Sequence, residues 1–122
     1  MILSAIFAAA AMQPSPSIGT EFQGEWSTTL SQCGDRTTGT VLIDSDRLYF
    51  WESQFAPRAQ GEQTEANVLH GVWDDLGELS ETTISLALSK NQTLHLKTEW
   101  FEETYVRCEG SDLLSRYLEG KA

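Results

Sequence analysis

The sequence TTISLALSKNQTLHLK, residues 82–97, contains two segments in which apolar and polar side chains alternate. Within them, isoleucine or leucine recurs at every second position: Ile84, Leu86, Leu88, Leu94 and Leu96. Because successive side chains of a β-strand point to opposite faces, this alternation predicts two strands, each with one buried face. Lys90-Asn91 between them is typical of a turn.

The same short alternation continues on both sides of these strands. It recurs in EFQGEWSTTL, GTVLID, RLYFWES, TEANVLHGVWDD and EETYVRC, with turn residues such as the Asp-Ser-Asp of residues 44–46 between them. Pro57 predicts that QFAPRAQ, residues 54–60, is a loop or an edge strand, because proline cannot donate to a neighbouring strand. Such an edge would leave dimerisation open. About eight evenly spaced strands favour an antiparallel all-β barrel or sandwich.

The two ends of the chain depart from this pattern. MILSAIFAAAAMQPSPS, residues 1–17, combines an apolar stretch too short to span a bilayer with small residues and a proline-bearing tether. We expect a signal peptide cleaved before Met12, and a periplasmic or secreted protein. At the other end, Ser111 or Asp112 can cap a short helix. Its apolar face would consist of Leu113, Leu114, Tyr117 and Leu118, with Gly120 ending the helix.

The chain contains two cysteines, Cys33 and Cys108. In an oxidising compartment an isolated pair is most simply one disulfide bond. The bond would close most of the exported chain into a loop, a constraint worth on the order of 4 kcal/mol in the chain-entropy model. The alternative is two free, buried thiols in a cytosolic protein. The pair is not a C-x-x-C, so neither a redox site nor a zinc ribbon is indicated.

Length and charge restrict the class of protein and its partners. A chain of 122 residues forms a single domain. With 18 acidic and 8 basic residues its formal net charge is -10, which repels phosphate backbones and anionic lipid headgroups. We therefore expect no nucleic-acid partner and no membrane insertion after signal cleavage. A basic secreted protein is an electrostatically favourable partner, although acidity also serves solubility alone.

Gly24-Glu25-Trp26 on the first strand and Arg107 near the end of the last resemble the calycins, the lipocalin-like closed barrels. The resemblance implies an eight-stranded antiparallel barrel in which Trp26 closes one end and Arg107 stacks on its ring, a cation–π contact worth ~1 to 2 kcal/mol. The domain boundaries that follow are signal peptide and tether over residues 1–17, barrel over 18–110 and helical tail over 111–122.

The wider arrangement is similar to a family of small uncharacterised exported proteins from proteobacteria. The shared elements are Gly24 and Trp26, Cys33, Trp51-Glu52-Ser53 and Val106-Arg107-Cys108. They span most of the chain after the signal peptide. Because we know of no activity for that family, the resemblance implies the fold and the compartment alone.

Glu52 is the first candidate for a functional side chain. On a strand through RLYFWES it would share a face with Leu48 and Phe50 and point inward at the end of the strand. A buried carboxylate needs a partner, and we predict an ion pair with Arg107. A ligand-binding carboxylate at the open end of the barrel and plain exposure are the alternatives.

Other polar groups give weaker indications. His70 and His95 each lie on a predicted strand, and nothing in their spacing enforces a metal or catalytic site. The acidic cluster of Asp74, Asp75, Glu78 and Glu81 lacks the spacing of an EF-hand and is expected to be a solvated loop. We expect no catalytic residues, no metal and no cofactor.

The aromatic side chains Trp51, Trp73, Trp100 and Phe101 either close the ends of the core or form a contact surface. The leading hypothesis is a non-enzymatic binding domain that takes a small apolar ligand near Trp51, Glu52, Phe55 and Trp73. An inhibitor of a secreted hydrolase, either a lysozyme or a protease, is the alternative, by analogy of fold. A hydrolase that acts through Glu52 ranks last.

Overall fold

In the computed structural model every strand pairs antiparallel with its neighbours in sequence, and the last strand pairs back with the first to close an eight-stranded barrel. The structure describes residues 18–58 and 67–120. The strands are β1 (Gly24–Ser27), β2 (Thr40–Ile43), β3 (Leu48–Tyr49), β4 (Ser53–Pro57), β5 (Val68–Asp75), β6 (Glu78–Leu88), β7 (Thr93–Lys97) and β8 (Glu102–Arg107). Within these ranges, two 3-10 helices (Thr20–Phe22, Leu30–Gln32) and one α-helix, α1 (Leu113–Leu118), complete the fold. The predicted calycin-like architecture is confirmed.

The barrel interior is filled by the apolar side chains that alternate along the strands. Four of the five side chains of β6 and β7 that the sequence places inward, Ile84, Leu86, Leu94 and Leu96, are buried in one core with Val41, Ile43, Leu48 and Phe55. The fifth, Leu88, is partly buried and packs against this core. Burial of this apolar surface stabilises the fold by about 25 cal/mol per Å². The signal-peptide prediction for residues 1–17 lies outside the described residues.

One end of the barrel is covered by the segment that precedes β1. The backbone N–H of Ile18 donates to Ser45 in the β2–β3 turn, and the side chains of Ile18 and Phe22 join the core. Trp26 is fully buried below them, and its Nε1 donates to the Phe22 carbonyl at 2.8 Å. We call this the covered end. The β3–β4, β5–β6 and β7–β8 turns lie at the opposite, open end.

Arg107 locks the covered end. Its guanidinium lies 4.2 Å from the centre of the Trp26 ring and donates to the Gln23 and Glu21 carbonyls at 3.0 and 2.6 Å. This is the contact that the calycin resemblance implies. Gly24 has a φ of 133°, and a Cβ there would come within 3.1 Å of Arg107 Nη1, so the glycine of the G-x-W motif makes room for the arginine.

The stretch around Pro57 is only partly the loop or edge strand that the sequence predicts. Residues 59 and 60 lie outside the described residues. β5 pairs with all of β4, Ser53–Pro57, whereas β3 pairs only with Gln54 and Phe55, so the last part of β4 is paired on one side alone. Pro57 is tolerated there because no residue of β3 pairs with it. It lies opposite Gly71, where an added Cβ would be 2.2 Å from the Ala56 carbonyl oxygen, so the two strands approach closely.

The prediction of one strand through RLYFWES is wrong. β3 ends at Tyr49, and the chain turns before β4 begins at Ser53, with the Phe50 N–H donating to the Ser53 carbonyl at 2.8 Å. Glu52 occupies this turn with a left-handed φ of 64°. Strand alternation therefore stops before Glu52, whose side chain is exposed.

A second layer covers the outside of the first strands. It consists of the β1–β2 connection, residues 28–39, and α1. The predicted Cys33–Cys108 disulfide is present and ties the connection to the residue that follows β8. The connection also donates from Gly34 N–H to Oε2 of the buried Glu25 at 2.6 Å.

Helix α1 follows the prediction except at its end. Ser111 Oγ accepts from the Leu113 N–H at 3.2 Å, Leu113 is buried, and Tyr117 contacts the Tyr49 ring at 5.1 Å between centres. Leu118, placed by its spacing on the same face, is 52% exposed instead. No helix in the described ranges is long and apolar enough to cross a membrane.

Candidate functional site

Four aromatic rings touch one another at the open end. Phe50 and Trp73 lie 4.8 Å apart between ring centres, and Trp73 and Trp100 lie 5.3 Å apart. Phe101 is 6.2 Å from both Phe50 and Trp73. We call Phe50, Trp73, Trp100 and Phe101 the aromatic cluster.

The cluster is assembled from three turns or strand ends. Phe50 comes from the β3–β4 turn, Trp73 from the last part of β5, and the other two rings from the β7–β8 turn. Thr98 fixes that last turn, because its buried Oγ1 accepts from the N–H groups of Trp100 and Phe101, each at 3.0 Å. A threonine hydroxyl in this position stabilises the turn in the way that a backbone carbonyl would.

The first cleft, of about 540 Å³, opens beside the cluster. Its apolar lining consists of Phe50, Trp51, Trp73, Phe101 and Tyr105, and polar atoms come from Thr28, Thr38, Ser53 and Glu103. Trp51 is 45% exposed, whereas Tyr105 lies at the bottom with 5% exposure. Burial, with the charge of Glu103, raises the pKa of Tyr105 to about 12, so its hydroxyl remains a hydrogen-bond donor at neutral pH.

The second cleft, of about 350 Å³, adjoins the first. Trp73 and Phe101 line both, so these two rings form the wall between them. The remaining lining of the second cleft is Asp75, Glu78, Ser80 and Trp100. Asp75 and Glu78 are directly opposed at the end of the β5–β6 hairpin.

The structure brings only part of the predicted ligand site together. Trp51 and Trp73 line the first cleft. Phe55 does not, because it points into the packed core and is fully buried. Strand pairing explains this placement, since Phe55 lies opposite Trp73 on an inward-facing row of the barrel.

Glu52 and Arg107 do not meet. Arg107 serves the covered end, and Glu52 forms no ion pair with any residue of the described ranges. Glu52 instead lines a third cleft, of about 210 Å³, together with Arg36 and Tyr117. There Arg36 donates to the Phe50 carbonyl at 3.2 Å and lies 4.3 Å from the Tyr117 ring centre, which fixes the turn that carries Glu52.

The sequence did not indicate that Phe50, Glu103 and Tyr105 belong to the site. Phe50 was assigned to an inward row of a strand, although it lies directly beside Trp51 in the chain. The pattern of the last strand places Tyr105 on one of its faces but does not indicate a cleft there. A period-2 pattern gives the face on which a side chain lies but not its depth along the barrel, and depth separates a core residue from a cleft residue.

The histidines lie on β5 and β7, with β6 between them. Each hydrogen-bonds a threonine of a neighbouring strand, His70 to Thr83 at 2.9 Å and His95 to Thr104 at 3.4 Å. They form no joint site in the described structure.

The predicted acidic cluster is divided by the hairpin. Asp74 Oδ1 accepts from the Gly77 N–H at 2.8 Å within the turn, whereas Glu81 pairs with Arg58. Glu25 lies beside the sulfurs of Cys33 and Cys108, but those sulfurs are held in the disulfide bond. In the described residues, neither the acidic side chains of the β5–β6 hairpin nor Glu25 with the two disulfide-bonded sulfurs is arranged as a metal site.

The chain matches no family model, and searches of curated proteins and of solved structures found no match.

Proposed function

We propose that this protein is a non-enzymatic binding domain whose open end holds a small apolar ligand in the first cleft. The observation that carries the proposal is the concentration of five aromatic side chains around one cleft of about 540 Å³. Small-molecule sites are typically clefts of about 300–1,000 Å³ lined mainly by apolar and aromatic groups with few polar atoms. Export through the N-terminal segment and membership of the exported family that the chain resembles are part of the same proposal.

The aromatic cluster supports ligand binding better than a purely structural role. A structural plug would bury its rings, as Trp26 does at the covered end, yet Trp100 and Phe101 of the cluster are 50% and 37% exposed, and Trp51 in the same cleft as Phe101 is 45% exposed. The exposed rings of Trp100 and Phe101 each contact Trp73 and present a preformed apolar surface. A ligand would remove this surface from water without reorganising the core beneath it.

Binding of a neutral, apolar fluorophore such as N-phenyl-1-naphthylamine tests the proposal. We expect a dissociation constant on the order of 10 μM, about -7 kcal/mol, in the range attainable by a ligand of this size. Trp51→Ala should weaken binding by about 10-fold, because it removes a large apolar contact of the cleft.

Leu118→Ala is the matched control, since Leu118 is equally exposed but lies on α1. This variant should bind as the unmodified protein does. No binding up to the solubility limit of the fluorophore, or equal weakening by the two variants, would contradict the proposal.

Inhibition of a secreted hydrolase is the second candidate function. Of the seven large apolar side chains that are exposed in the described ranges, five lie at the open end: Trp51, Leu76, Leu79, Trp100 and Phe101. Because the whole chain has a formal net charge of -10, this apolar end would suit a basic enzyme with an apolar recess. Inhibition of a lysozyme or a protease at low salt, abolished by Leu79→Asp, would support this candidate. Full enzyme activity at high inhibitor concentration would contradict it.

A further inference from the structure

We propose that the ligand is a cationic amphiphile, whose apolar part lies in the first cleft and whose ammonium group lies in the second. This inference rests on the proposed function and adds the chemical class of the ligand. It follows from the different linings of two clefts that share the rings of Trp73 and Phe101. A ligand that crosses this shared wall meets five aromatic rings and one carboxylate, that of Glu103, on one side. On the other side it meets three aromatic rings and two carboxylates, those of Asp75 and Glu78.

The second cleft has the composition of an ammonium site. Trp73 and Trp100 contact each other with their planes at 66°, so their ring faces point in different directions around the cleft. An indole face attracts a cation through its quadrupole, and combined aromatic and acidic surroundings are the usual way in which proteins bind quaternary ammonium groups. Asp75 and Glu78 supply the opposite charge on the same side.

Both carboxylates are available to a ligand. Within residues 18–58 and 67–120, neither Asp75 nor Glu78 forms an ion pair. Their strand pairing holds them opposite each other at the end of the hairpin, so the two negative charges are neighbours on one face of the sheet. A bound ammonium group would relieve this repulsion, and the relief adds to the affinity.

The charged groups that line the first and second clefts favour a cation over an anion or a neutral group. Neither of these two clefts is lined by an arginine, lysine or histidine in the described structure. Glu103 adds a carboxylate to the first cleft, and the chain carries a formal net charge of -10. An anionic ligand would meet carboxylates in both clefts, whereas a cation is attracted to them.

Two probes of the same shape isolate the effect of charge. One is (naphthalen-1-ylmethyl)trimethylammonium, and the other is 1-neopentylnaphthalene, in which carbon replaces the charged nitrogen. Equilibrium dialysis at low ionic strength measures the affinity of the intact protein for each. We expect the cation to bind at least about 10-fold more tightly, and the difference to shrink as salt is added.

The double variant Asp75→Asn/Glu78→Gln keeps the shape of the second cleft and removes its charge. It should reduce the preference for the cation to less than about 3-fold, while affinity for the neutral probe stays the same. The control is Asp46→Asn/Glu109→Gln, which removes two exposed charges far from the open end, in the β2–β3 turn and after β8. This control should keep most of the preference.

Each outcome has a definite meaning. Equal affinity for the two probes overturns the inference and leaves the proposed apolar site intact. A preference for the cation that survives Asp75→Asn/Glu78→Gln overturns the placement of the ammonium group in the second cleft. Failure of both probes to bind overturns the inference together with the proposed function.

Discussion

Arg107 shows how a single residue organises one end of the barrel. It is the last residue of β8, and its guanidinium contacts the Trp26 ring and two backbone carbonyls that precede β1. These carbonyls belong to residues 84 and 86 positions away in the sequence. The planar fork of an arginine can make all three contacts at once, which an ammonium group cannot.

A substitution at Arg107 should destabilise the protein, whereas one at Glu52 should leave its stability almost unchanged. Arg107→Ala should lower the free energy of unfolding by about 2 kcal/mol, because two hydrogen bonds and a cation–π contact are lost. Arg107→Lys should recover at most half of this loss. Glu52→Gln should change the free energy by less than about 0.5 kcal/mol, since its side chain is exposed and outside any ion pair of the described structure. Urea unfolding measures the free energy of unfolding of all three variants. If Glu52→Gln lowered it as much as Arg107→Ala, this would contradict the exposed placement of the Glu52 side chain and support the ion pair predicted from the sequence.

At the scale of elements, the β5–β6 hairpin turns through only two residues, Leu76 and Gly77. Both have left-handed backbone angles, with φ of 54° and 96°. This is the geometry of the tight turns that match the twist of a hairpin, which favour asparagine followed by glycine. Leu76 is 75% exposed and gains no burial in return for its unfavourable backbone angle.

Leu76→Asn should therefore stabilise the protein by about 0.5 to 1 kcal/mol, because asparagine tolerates the left-handed angle. Leu79→Asn is the matched control: Leu79 is also exposed but lies on the regular strand β6. There asparagine should be neutral or slightly destabilising. The urea midpoints of the two variants test this, and a shift of the same sign and size in both would contradict the argument from backbone angle.

At the scale of the whole molecule, the disulfide joins the two layers. The barrel alone is closed by the pairing of β1 with β8, and the outer layer of the β1–β2 connection and α1 is attached to it through Cys33 and Cys108. The bond spans 75 residues of sequence. Its largest effect is therefore on the unfolded chain, which it prevents from expanding.

Reduction of the disulfide should lower the free energy of unfolding by about 4 kcal/mol, the value expected for closure of a loop of this length. Urea unfolding with and without a reductant measures the loss. The Cys33→Ala/Cys108→Ala variant should match the reduced protein and be insensitive to the reductant. A loss below about 1 kcal/mol would show that tertiary packing alone holds the outer layer.

Much of the fold follows from local pattern. The period-2 alternation of residues 82–97 predicted β6 and β7 with their buried faces. The presence of just two cysteines in the sequence predicted the disulfide bond between them. Both depend on rules that act over a few residues or on simple counting. The G-x-W motif, through its resemblance to the calycins, predicted the contact between Trp26 and Arg107 at the covered end.

The sequence by itself thus determined most of the strands, the all-β class and the identity of several open-end aromatic residues, because alternation and residue type are written locally in the chain. Only the tertiary structure decided that Phe55 lies wholly in the core whereas Tyr105, in the same core, also lines the first cleft, since depth along a barrel depends on strand register. The tertiary structure also decided that Glu52 is exposed. The ion pair with Arg107 was predicted from strand alternation, and a tight turn at residues 50–52 ends that alternation. The joining of Trp73, Trp100, Asp75 and Glu78 into one cleft required the pairing of separate strands, which no local pattern records.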